Sequence, residues 1–336
     1  MQEPLIEVKN LKQEFRLTKG LLQSLRLEGG KLVKEEKVVH AVNDVSFTIN
    51  KGEVFSLVGE SGCGKSTTAR TVIRLLEPAA GQVLYKGEDI STLKPTQLLP
   101  YRKNMQMIFQ DPYASLNPKQ RVEEIIMEPM LFHKVAKNKE EARKKMLEIL
   151  ERVGIRAEQA SRYPHQFSGG QRQRIGIARA LAVQPEFIIA DEPVSALDVS
   201  IQAQILNLLM DLKDEFNFSY LFIAHDLSVV RHISDRLGVM YLGAIVEMGD
   251  KKSIFDNPLH PYTKLLFSAV PTVGEAPLVE NMEIQGEIPS PVKLPGGCYF
   301  HDRCPYATEI CCDVRPELKD LGGGHCVACH HVHKEA

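Results

Sequence analysis

The chain has 336 residues, 43% hydrophobic and 25% charged, a composition typical of a globular protein with one large domain and a small one. Its 41 Lys and Arg nearly balance 43 Asp and Glu, so no overall positive field favours nonspecific binding of nucleic acid. The first ten residues carry charges and no apolar segment, and the apolar runs fall far below the roughly 20 residues that span a bilayer. We therefore expect neither a secretory signal nor a membrane span. Any contact with a membrane is expected to be made through a partner protein.

Two stretches near the N-terminus, residues 5–17 and 38–49, alternate apolar and polar residues as half-buried strands do. The segment between them, 18–37, is rich in Gly, Lys and Leu and is interpreted as an insertion or a loop. From residue 53 the sequence changes to an apolar strand, a glycine-rich turn and the helical run KSTTARTVIRLL. Strand, loop and helix in that order begin an α/β unit.

Apolar strands recur at 105–109, 187–191 and 221–225, with long amphipathic stretches between them. This pattern predicts a mainly parallel sheet covered by helices. The span 118–162 consists almost entirely of helix formers with apolar residues three to four apart, which predicts a helical subdomain inserted into the α/β core. After about residue 266, prolines and a Gly-Gly pair break up regular structure, so we expect a small C-terminal domain to start there.

The sequence GESGCGKST fits the phosphate-loop pattern at every constrained position. Glycines allow positive φ and close approach of a ligand, so successive N–H groups and the following helix N-terminus can surround a β-phosphate. Lys65 adds positive charge for the β- and γ-phosphates, and the Ser66 hydroxyl can ligate Mg²⁺. A plain glycine turn is the alternative, which the strand before it and the helix after it disfavour. The nine residues are Gly59, Glu60, Ser61, Gly62, Cys63, Gly64, Lys65, Ser66 and Thr67.

An acidic pair, Asp191 and Glu192, follows the apolar strand that starts at Phe187. Ligands of parallel sheets bind at the C-terminal edge of the strands. Asp191 is predicted to hold Mg²⁺ through water, and Glu192 to polarise the attacking water as general base. Such a pair is also common at a helix start. Combined with the phosphate loop, it indicates an ATPase.

The sequence FSGGQRQRIGIARAL at 167–181 resembles the signature motif of ABC ATPases, which phosphate-loop proteins at large do not share. A serine and two glycines at the start of a helix form an anion site, because the free N–H groups and the dipole of the helix N-terminus favour negative charge, as in the phosphate loop. A capped helix after a loop would explain the serine but not the run as a whole. The resemblance implies that the motif contacts ATP through Ser168, Gly169, Gly170 and Gln171.

Four further positions match elements of the ABC ATPase family. Gln110 matches the Q-loop glutamine, which in the family contacts Mg²⁺ and water and faces the transmembrane partner. Asp198, in the sequence SALD, matches the D-loop, and His225 matches the switch histidine near the γ-phosphate. Phe15 stands where the family stacks an aromatic ring on adenine, and a phenylalanine of the core is the alternative.

The resemblance implies an α/β fold, namely a phosphate-loop ABC ATPase with a RecA-like, mainly parallel sheet core. An antiparallel β subdomain, an inserted helical subdomain at about 118–175 and a small irregular Cys-rich C-terminal domain complete it. Residues 1–266 would form the nucleotide-binding domain and 267–336 the C-terminal domain. ABC cassettes pair head to tail, so ATP held by Lys65 and Asp191 of one subunit is capped by the signature motif of the other.

Three stretches, 109–118, 163–181 and 257–271, resemble the dipeptide and oligopeptide importers within that family. The resemblance implies two transmembrane permease subunits, an extracytoplasmic substrate-binding protein and a position at the cytoplasmic face of the membrane. The chain resembles the second of two ATPase subunits, so we expect a heterodimer with a related ATPase and no nucleic acid. Nickel, glutathione or haem are alternative cargoes, and a soluble ABC ATPase, an exporter subunit and a redox sensor are the rival functions.

Six of the seven cysteines lie between residues 298 and 329, which indicates a local metal site rather than a secreted disulfide scaffold. Four of them, separated by five, six and seventeen residues, are Cys298, Cys304, Cys311 and Cys329. This spacing leaves zinc and an iron–sulfur cluster open. The resemblance to peptide-importer ATPases implies that these four hold a [4Fe–4S] cluster.

Three cysteines need a separate interpretation. Cys312 and Cys326 are additional to the family pattern, and Cys326 with Cys329 and nearby histidines would suit Zn²⁺. Cys63 stands beside Lys65 at a helix N-terminus, where the pKa of a thiol tends to fall. We therefore predict that alkylation of Cys63 inhibits the ATPase and that bound ATP protects it. The alternative is that a small residue simply fits the loop.

Overall fold

Two large sheets, one antiparallel and one mainly parallel, form the framework of the protein. The computed structural model describes residues 4–17, 25–28, 31–34, 37–268 and 287–335. The strands are β1 (Pro4–Leu17), β2 (Leu25–Glu28), β3 (Lys31–Lys34), β4 (Lys37–Asn50), β5 (Val54–Val58), β6 (Ala80–Tyr85), β7 (Glu88–Asp89), β8 (Met105–Ile108), β9 (Phe187–Asp191), β10 (Ser219–Ile223), β11 (Arg236–Tyr241), β12 (Ala244–Asp250), β13 (Lys319–Asp320) and β14 (Cys326–Val327). The helices are α1 (Lys65–Val72), α2 (Leu99–Asn104), α3 (Pro112–Ser115), α4 (Val122–Phe132), α5 (Lys139–Arg152), α6 (Gly169–Leu181), α7 (Val199–Phe216), α8 (Leu227–Ile233), α9 (Lys251–Asp256), α10 (Pro261–Ser268), α11 (Glu309–Asp313) and α12 (Val332–Glu335).

The main sheet has the strand order β13-β14-β12-β11-β5-β10-β9-β8. The five strands from β11 to β8 are parallel, whereas β12, β14 and β13 pair antiparallel. Every residue of β5, β9 and β10 is buried, as expected for parallel strands whose two faces are both covered. The predicted mainly parallel sheet is confirmed.

The C-terminal ends of four parallel strands meet at one edge of the main sheet. There β5 leads into the loop 59–64, β8 ends just before Gln110, β9 leads into Glu192, and β10 ends before His225. The strand predicted at 221–225 ends at Ile223, so His225 lies in the following loop and not in the strand. All four connections therefore bring polar side chains to the edge where such sheets bind ligands.

The second sheet, with the order β4-β1-β6-β7, is antiparallel throughout. It confirms the strands predicted at 5–17 and 38–49 and the expected antiparallel subdomain. Within the segment predicted as an insertion or loop, β2 and β3 pair as a hairpin. Residues 18–24, 29–30 and 35–36 of that segment lie outside the described residues.

The helices α4, α5 and α6 pack against one another and form the predicted helical region. Residues spaced three to four apart on α5, namely Ala142, Met146 and Leu150, are buried. The helix starts where the Asn138 side chain accepts the N–H of Glu141. The helix formers noted in the sequence thus build real helices, and the limits of the subdomain at about 118–175 stay a prediction.

Residues 287–335 pack on the main sheet and extend it. β14 pairs with β12, with Val327 opposite Glu247, and β13 adds one more short strand. The buried Glu247 carboxylate lies 2.7 Å from Nε2 of His325 and accepts the backbone N–H of His260. The predicted boundary at 266/267 falls within α10, just before residues 269–286, which lie outside the described part, and it remains a prediction. Each helix in the described ranges is too short or too polar to cross a bilayer.

Candidate functional site

The loop between β5 and α1 has a conformation that requires glycine at two positions. Gly59 has φ of 149° and Gly64 has φ of 104°, values that favour glycine. A Cβ atom at Gly59 would lie 2.2 Å from the Met240 carbonyl oxygen, and one at Gly64 would lie 2.2 Å from the Ala41 carbonyl oxygen. The loop therefore lies directly on the neighbouring backbone and leads into the N-terminus of α1.

The side chain of Lys65 is buried within this loop. Its Nζ donates to the carbonyl oxygens of Gly59 at 2.7 Å and Glu60 at 3.0 Å. A buried ammonium is stable only with such partners. Ser61 is exposed on the loop, and Thr67 belongs to the first turn of α1. The arrangement fixes a positive charge beside a helix N-terminus, which is a favourable setting for an anion.

Asp191, at the end of β9, is fully buried and faces α1. Its Oδ1 accepts the Ser66 hydroxyl at 2.7 Å, and its Oδ2 lies 3.6 Å from the Arg70 guanidinium. Burial raises the pKa of Asp191, and the hydrogen bond from Ser66 and the positive charge of Arg70 oppose that rise. Oδ2 has no hydrogen-bond partner among the described residues. A hydroxyl and a carboxylate whose second oxygen accepts no hydrogen bond form a donor set that fits a hard divalent cation.

Three predicted polar residues meet at the carboxylate of Glu192. Its Oε2 accepts from Nε2 of Gln110 at 2.8 Å and lies 3.4 Å from Nδ1 of His225. The backbone of Glu192 has φ of 45°, the left-handed region that non-glycine residues rarely adopt. Its N–H donates to the Ile223 carbonyl oxygen at 3.0 Å, which ties the strained residue to β10. Such strain is typical of a functional site.

The signature residues lie on a different part of the chain's surface. Ser168 caps α6 by accepting the N–H of Gln171, and the Gln171 side chain accepts the N–H of Ser168. A Cβ atom at Gly170 would lie 2.6 Å from Cγ2 of Ile201 on α7. Asp198, at the start of α7, is exposed. A Cβ atom at Gly169 would lie 3.5 Å from Cδ2 of Leu197, which precedes α7, so the two glycines of the motif lie against the start of α7.

Phe15 lies on β1 opposite Val39 of β4, and its side chain is 36% exposed. This exposure contradicts the alternative that Phe15 is a core residue. Two positions further along β4, Ala41 contacts Gly64 of the phosphate loop. The exposed ring of Phe15 on β1 therefore lies on the strand next to the one that contacts the phosphate loop, and it is available for stacking on a base.

Comparisons with known proteins agree with this geometry. Residues 42–195 match the family model described as ABC transporter, and residues 246–311 match the one described as oligopeptide/dipeptide transporter, C-terminal region. The oligopeptide transport ATP-binding protein AppF of Bacillus subtilis is 53% identical over 332 residues, 98% of either chain. The chain belongs to the ABC transporter ATPase family. The dipeptide transport ATP-binding protein DppF of Escherichia coli is 45% identical to this ABC ATPase over 335 residues. The alignment covers 100% of this chain and 96% of DppF.

Solved structures give the same fold for the ABC ATPase. The dimeric post-hydrolysis state of the ATP-binding cassette MJ0796, bound to ADP and Pi, aligns with a TM-score of 0.63 at 29% identity. The alignment covers 73% of this chain and 98% of that one. The predicted ABC ATPase fold and the ATP-hydrolysing activity are thus confirmed at the level of the family.

The prediction that the pKa of Cys63 falls is wrong. The thiol is buried, and burial raises its pKa more than the neighbouring Lys65 lowers it. A position at a helix N-terminus lowers a thiol pKa only where the thiolate stays solvated. We therefore expect Cys63 to fit the loop as a small buried residue, and not to react readily with alkylating agents.

Four C-terminal thiols lie near one another in the ABC ATPase. Burial raises the pKa of Cys298 to about 11, and the charges of Cys311, Cys304 and Cys329 add to the rise. All seven cysteines are free. Within the described residues, however, no three His, Cys, Asp or Glu side chains are arranged to hold a metal ion. The expected [4Fe–4S] cluster and its Zn²⁺ alternative therefore have no metal site in this structure.

The remaining cysteines and histidines of this region have other contacts. Cys312 is exposed, and the Cys326 thiol donates to the Gly324 carbonyl oxygen. His325 pairs with Glu247, and Nε2 of His330 lies 2.8 Å from the Val314 carbonyl oxygen. These contacts occupy two of the histidines on which the Zn²⁺ alternative depended.

Three residues at the site were not predicted from the sequence. Arg70 lies one helical turn after Ser66, so helix periodicity would have indicated its contact with Asp191. Arg303 and Tyr262 both contact Glu60 of the phosphate loop, from 243 and 202 residues away. No local sequence signal could have indicated these two contacts.

Proposed function

We propose that this ABC ATPase drives the uptake of dipeptides or oligopeptides across the cytoplasmic membrane. The observation that carries the proposal is the similarity to peptide-transport ATP-binding proteins over 98% or more of the chain. The match of residues 246–311 to a peptide-transporter C-terminal region favours peptides over nickel, glutathione or haem as cargo. It also disfavours a soluble ABC ATPase.

In this proposal the loop 59–67 binds the phosphates of ATP, Lys65 supplies positive charge, and Phe15 stacks on adenine. Ser66 and Asp191 would hold Mg²⁺, which neutralises charge on the β- and γ-phosphates. Oδ2 of the buried Asp191, which accepts no hydrogen bond from the described residues, supports this assignment. Gln110, expected to contact Mg²⁺ as well, donates to Glu192 in the described structure. It therefore also orients that carboxylate.

Glu192 is the general base of the proposed reaction. Its carboxylate accepts a proton from water as the water oxygen bonds to the γ-phosphorus and the bond to ADP breaks. Gln110 and His225 both contact the same oxygen, Oε2, at 2.8 and 3.4 Å. These contacts restrict the carboxylate to one orientation, which is the positioning that phosphoryl transfer depends on.

The chain forms only half of each ATP site, and a second ATPase subunit supplies the other half. The surface around the signature motif is open to a partner, which supports this arrangement. Its exposed residues include Ser168, Asp198 and Val199, of which Val199 is 83% exposed. The solved cassette MJ0796 is dimeric. We propose that the partner here is a related but different ATPase, which gives a heterodimer.

The permease subunits dock beside the Q-loop in this proposal, and a substrate-binding protein delivers peptide on the other side of the membrane. Two aromatic side chains that follow Gln110, Tyr113 and Phe132, are 63% and 65% exposed. The Arg172 guanidinium of α6 lies 3.4 Å from the centre of the Tyr113 ring. This contact links Tyr113, on the proposed docking surface, to α6, the helix that starts with the signature motif. Movement of one therefore affects the other. The protein thus works at the cytoplasmic face of the membrane.

Uptake by the reconstituted transporter tests the proposed function. Vesicles that contain this ATPase, its partner ATPase and both permeases, with the binding protein added, are expected to accumulate radiolabelled dipeptide or oligopeptide only with hydrolysable ATP. The matched control uses a non-hydrolysable ATP analogue. Accumulation of nickel, glutathione or haem without peptide would refute the peptide cargo.

We also propose that Cys298, Cys304, Cys311 and Cys329 turn toward one another to hold a [4Fe–4S] cluster, an arrangement that the described side chains do not have in this structure. Burial, with a smaller contribution from the neighbouring thiols, raises the pKa of Cys298 and of Cys304, and the contribution of the thiols supports their proximity. Protein purified anaerobically is expected to carry about four irons per chain, and Cys304→Ser is expected to lose most of the iron. Cys312→Ser, which changes an exposed thiol nearby, serves as the control and should keep the iron. Iron-free or zinc-bearing wild-type protein would contradict the proposal.

A further inference from the structure

The phosphate-loop residue Glu60 is held by two side chains from the C-terminal part of the chain. Nη1 of Arg303 donates to Oε2 of Glu60 at 2.9 Å, and Nη2 donates to Oε1 at 3.1 Å. Paired parallel bonds of this kind fix the carboxylate in position as well as in distance. The backbone N–H of Glu60 donates to the Tyr262 hydroxyl at 2.9 Å. Both the side chain and the backbone of Glu60 are therefore anchored.

The Arg303 side chain is a buried member of the core and not a mobile surface group. It lies beside the rings of Tyr241 and Phe300, with the guanidinium carbon 5.8 and 5.9 Å from their centres. Nη1 also lies 3.4 Å from the Tyr241 hydroxyl. Tyr262 and Phe300 are fully buried and pack against each other. A buried guanidinium is strongly bound to its carboxylate, because either charge alone would be costly to bury.

Glu60 connects this anchor to the lysine of the loop. Its carbonyl oxygen accepts from Nζ of Lys65 at 3.0 Å. Glu60 also adds a negative charge to a loop that must attract an anionic nucleotide. Arg303 neutralises that charge at contact distance, so the pair leaves the field of Lys65 uncancelled.

We infer that Arg303 is a positioning residue of the ATP site: it fixes the phosphate loop through Glu60 and neutralises a carboxylate that would otherwise repel the nucleotide. The C-terminal region thereby sets the affinity of the loop for ATP. The inference rests on the proposed role of the loop 59–67 in binding phosphates.

Equilibrium binding of Mg²⁺–ATP to the full chain tests the inference. Arg303→Ala is expected to weaken ATP binding about tenfold, because the Glu60 carboxylate then leaves an uncompensated negative charge in the phosphate loop. The double change Arg303→Ala with Glu60→Gln removes that carboxylate charge and is expected to recover most of the affinity. Arg315→Ala is the matched control, because Arg315 lies in the same region and bonds to the Asn43 carbonyl oxygen and not to the loop.

In the assembled transporter, Arg303→Ala should raise the KM for ATP and change kcat at saturating ATP less than about twofold, because Glu192 is untouched. ATP binding by Arg303→Ala equal to that of wild type, or weakness that Glu60→Gln does not rescue, would overturn the inference. If Arg303→Ala does not fold, Arg303→Gln removes the charge whereas Arg303→Lys keeps it, and equal affinity of these two variants for ATP would also overturn the inference. Wild-type protein that fails to bind ATP would instead refute the proposed function.

Discussion

The variant Glu192→Gln is expected to lower ATP turnover by roughly 10²- to 10⁴-fold, the usual contribution of a general base. Glutamine has nearly the same shape and can still contact Gln110 and His225, but it cannot accept the proton of the attacking water. Binding of ATP should persist, because Lys65 and Asp191 are unchanged. Phosphate release by the assembled transporter, with ATP binding measured on the same preparation, checks both parts.

Glu186→Gln provides the control for this variant. Glu186 immediately precedes β9, as Glu192 follows it, and pairs with Lys86 at the surface. Loss of such an exposed ion pair has little effect, so turnover should match wild type. Turnover of Glu192→Gln close to wild type would exclude Glu192 as the base.

The second large effect is expected for Lys65→Ala, which should weaken ATP binding about 100-fold, equivalent to about 2.7 kcal/mol. The change removes the buried positive charge of the loop. It also removes the bonds from Nζ to the Gly59 and Glu60 carbonyl oxygens, so the loop loses its internal ties. Equilibrium titration with ATP measures the affinity, and thermal unfolding shows whether the chain remains folded.

Lys51→Ala is the corresponding control. Lys51 is exposed in the turn between β4 and β5, before the strand that leads into the loop. Its removal changes the net charge of the chain by the same amount as Lys65→Ala. Equal losses of affinity in the two variants would mean that total charge, and not the position of Lys65, governs ATP binding.

Parts of the fold were predictable because the signal is local. β9 was predicted with its observed bounds, since a strand covered on both faces is apolar until its last residue, and here the apolar run ends at the charged Asp191. The end of β10 was misjudged because Ala224 continues the apolar run although the strand ends at Ile223. Apolar composition marks burial, and burial extends beyond the end of the strand.

The residues of the candidate site were likewise predictable only where the signal is local in the sequence. The loop 59–67 and Glu192 were predicted, because each motif is contiguous and its chemistry follows from residue type. The pKa of Cys63 was predicted in the wrong direction, since burial of the thiol depends on residues far away in sequence, such as Met240. Arg303 was missed for the same reason: its partner Glu60 is 243 residues away. Sequence patterns thus indicate the chemistry of a site better than the packing that tunes it.

The pairing of β14 with β12 has a consequence for the synthesis of the protein. His325 follows its partner Glu247 by 78 residues. At roughly 5–20 residues per second, a ribosome needs roughly 4–16 s to make that length. Throughout this interval the nascent chain presents the β12 backbone as an open edge and Glu247 without its histidine. Open edges recruit strands from other chains, so the nascent chain is prone to aggregate during this interval until β14 has been made.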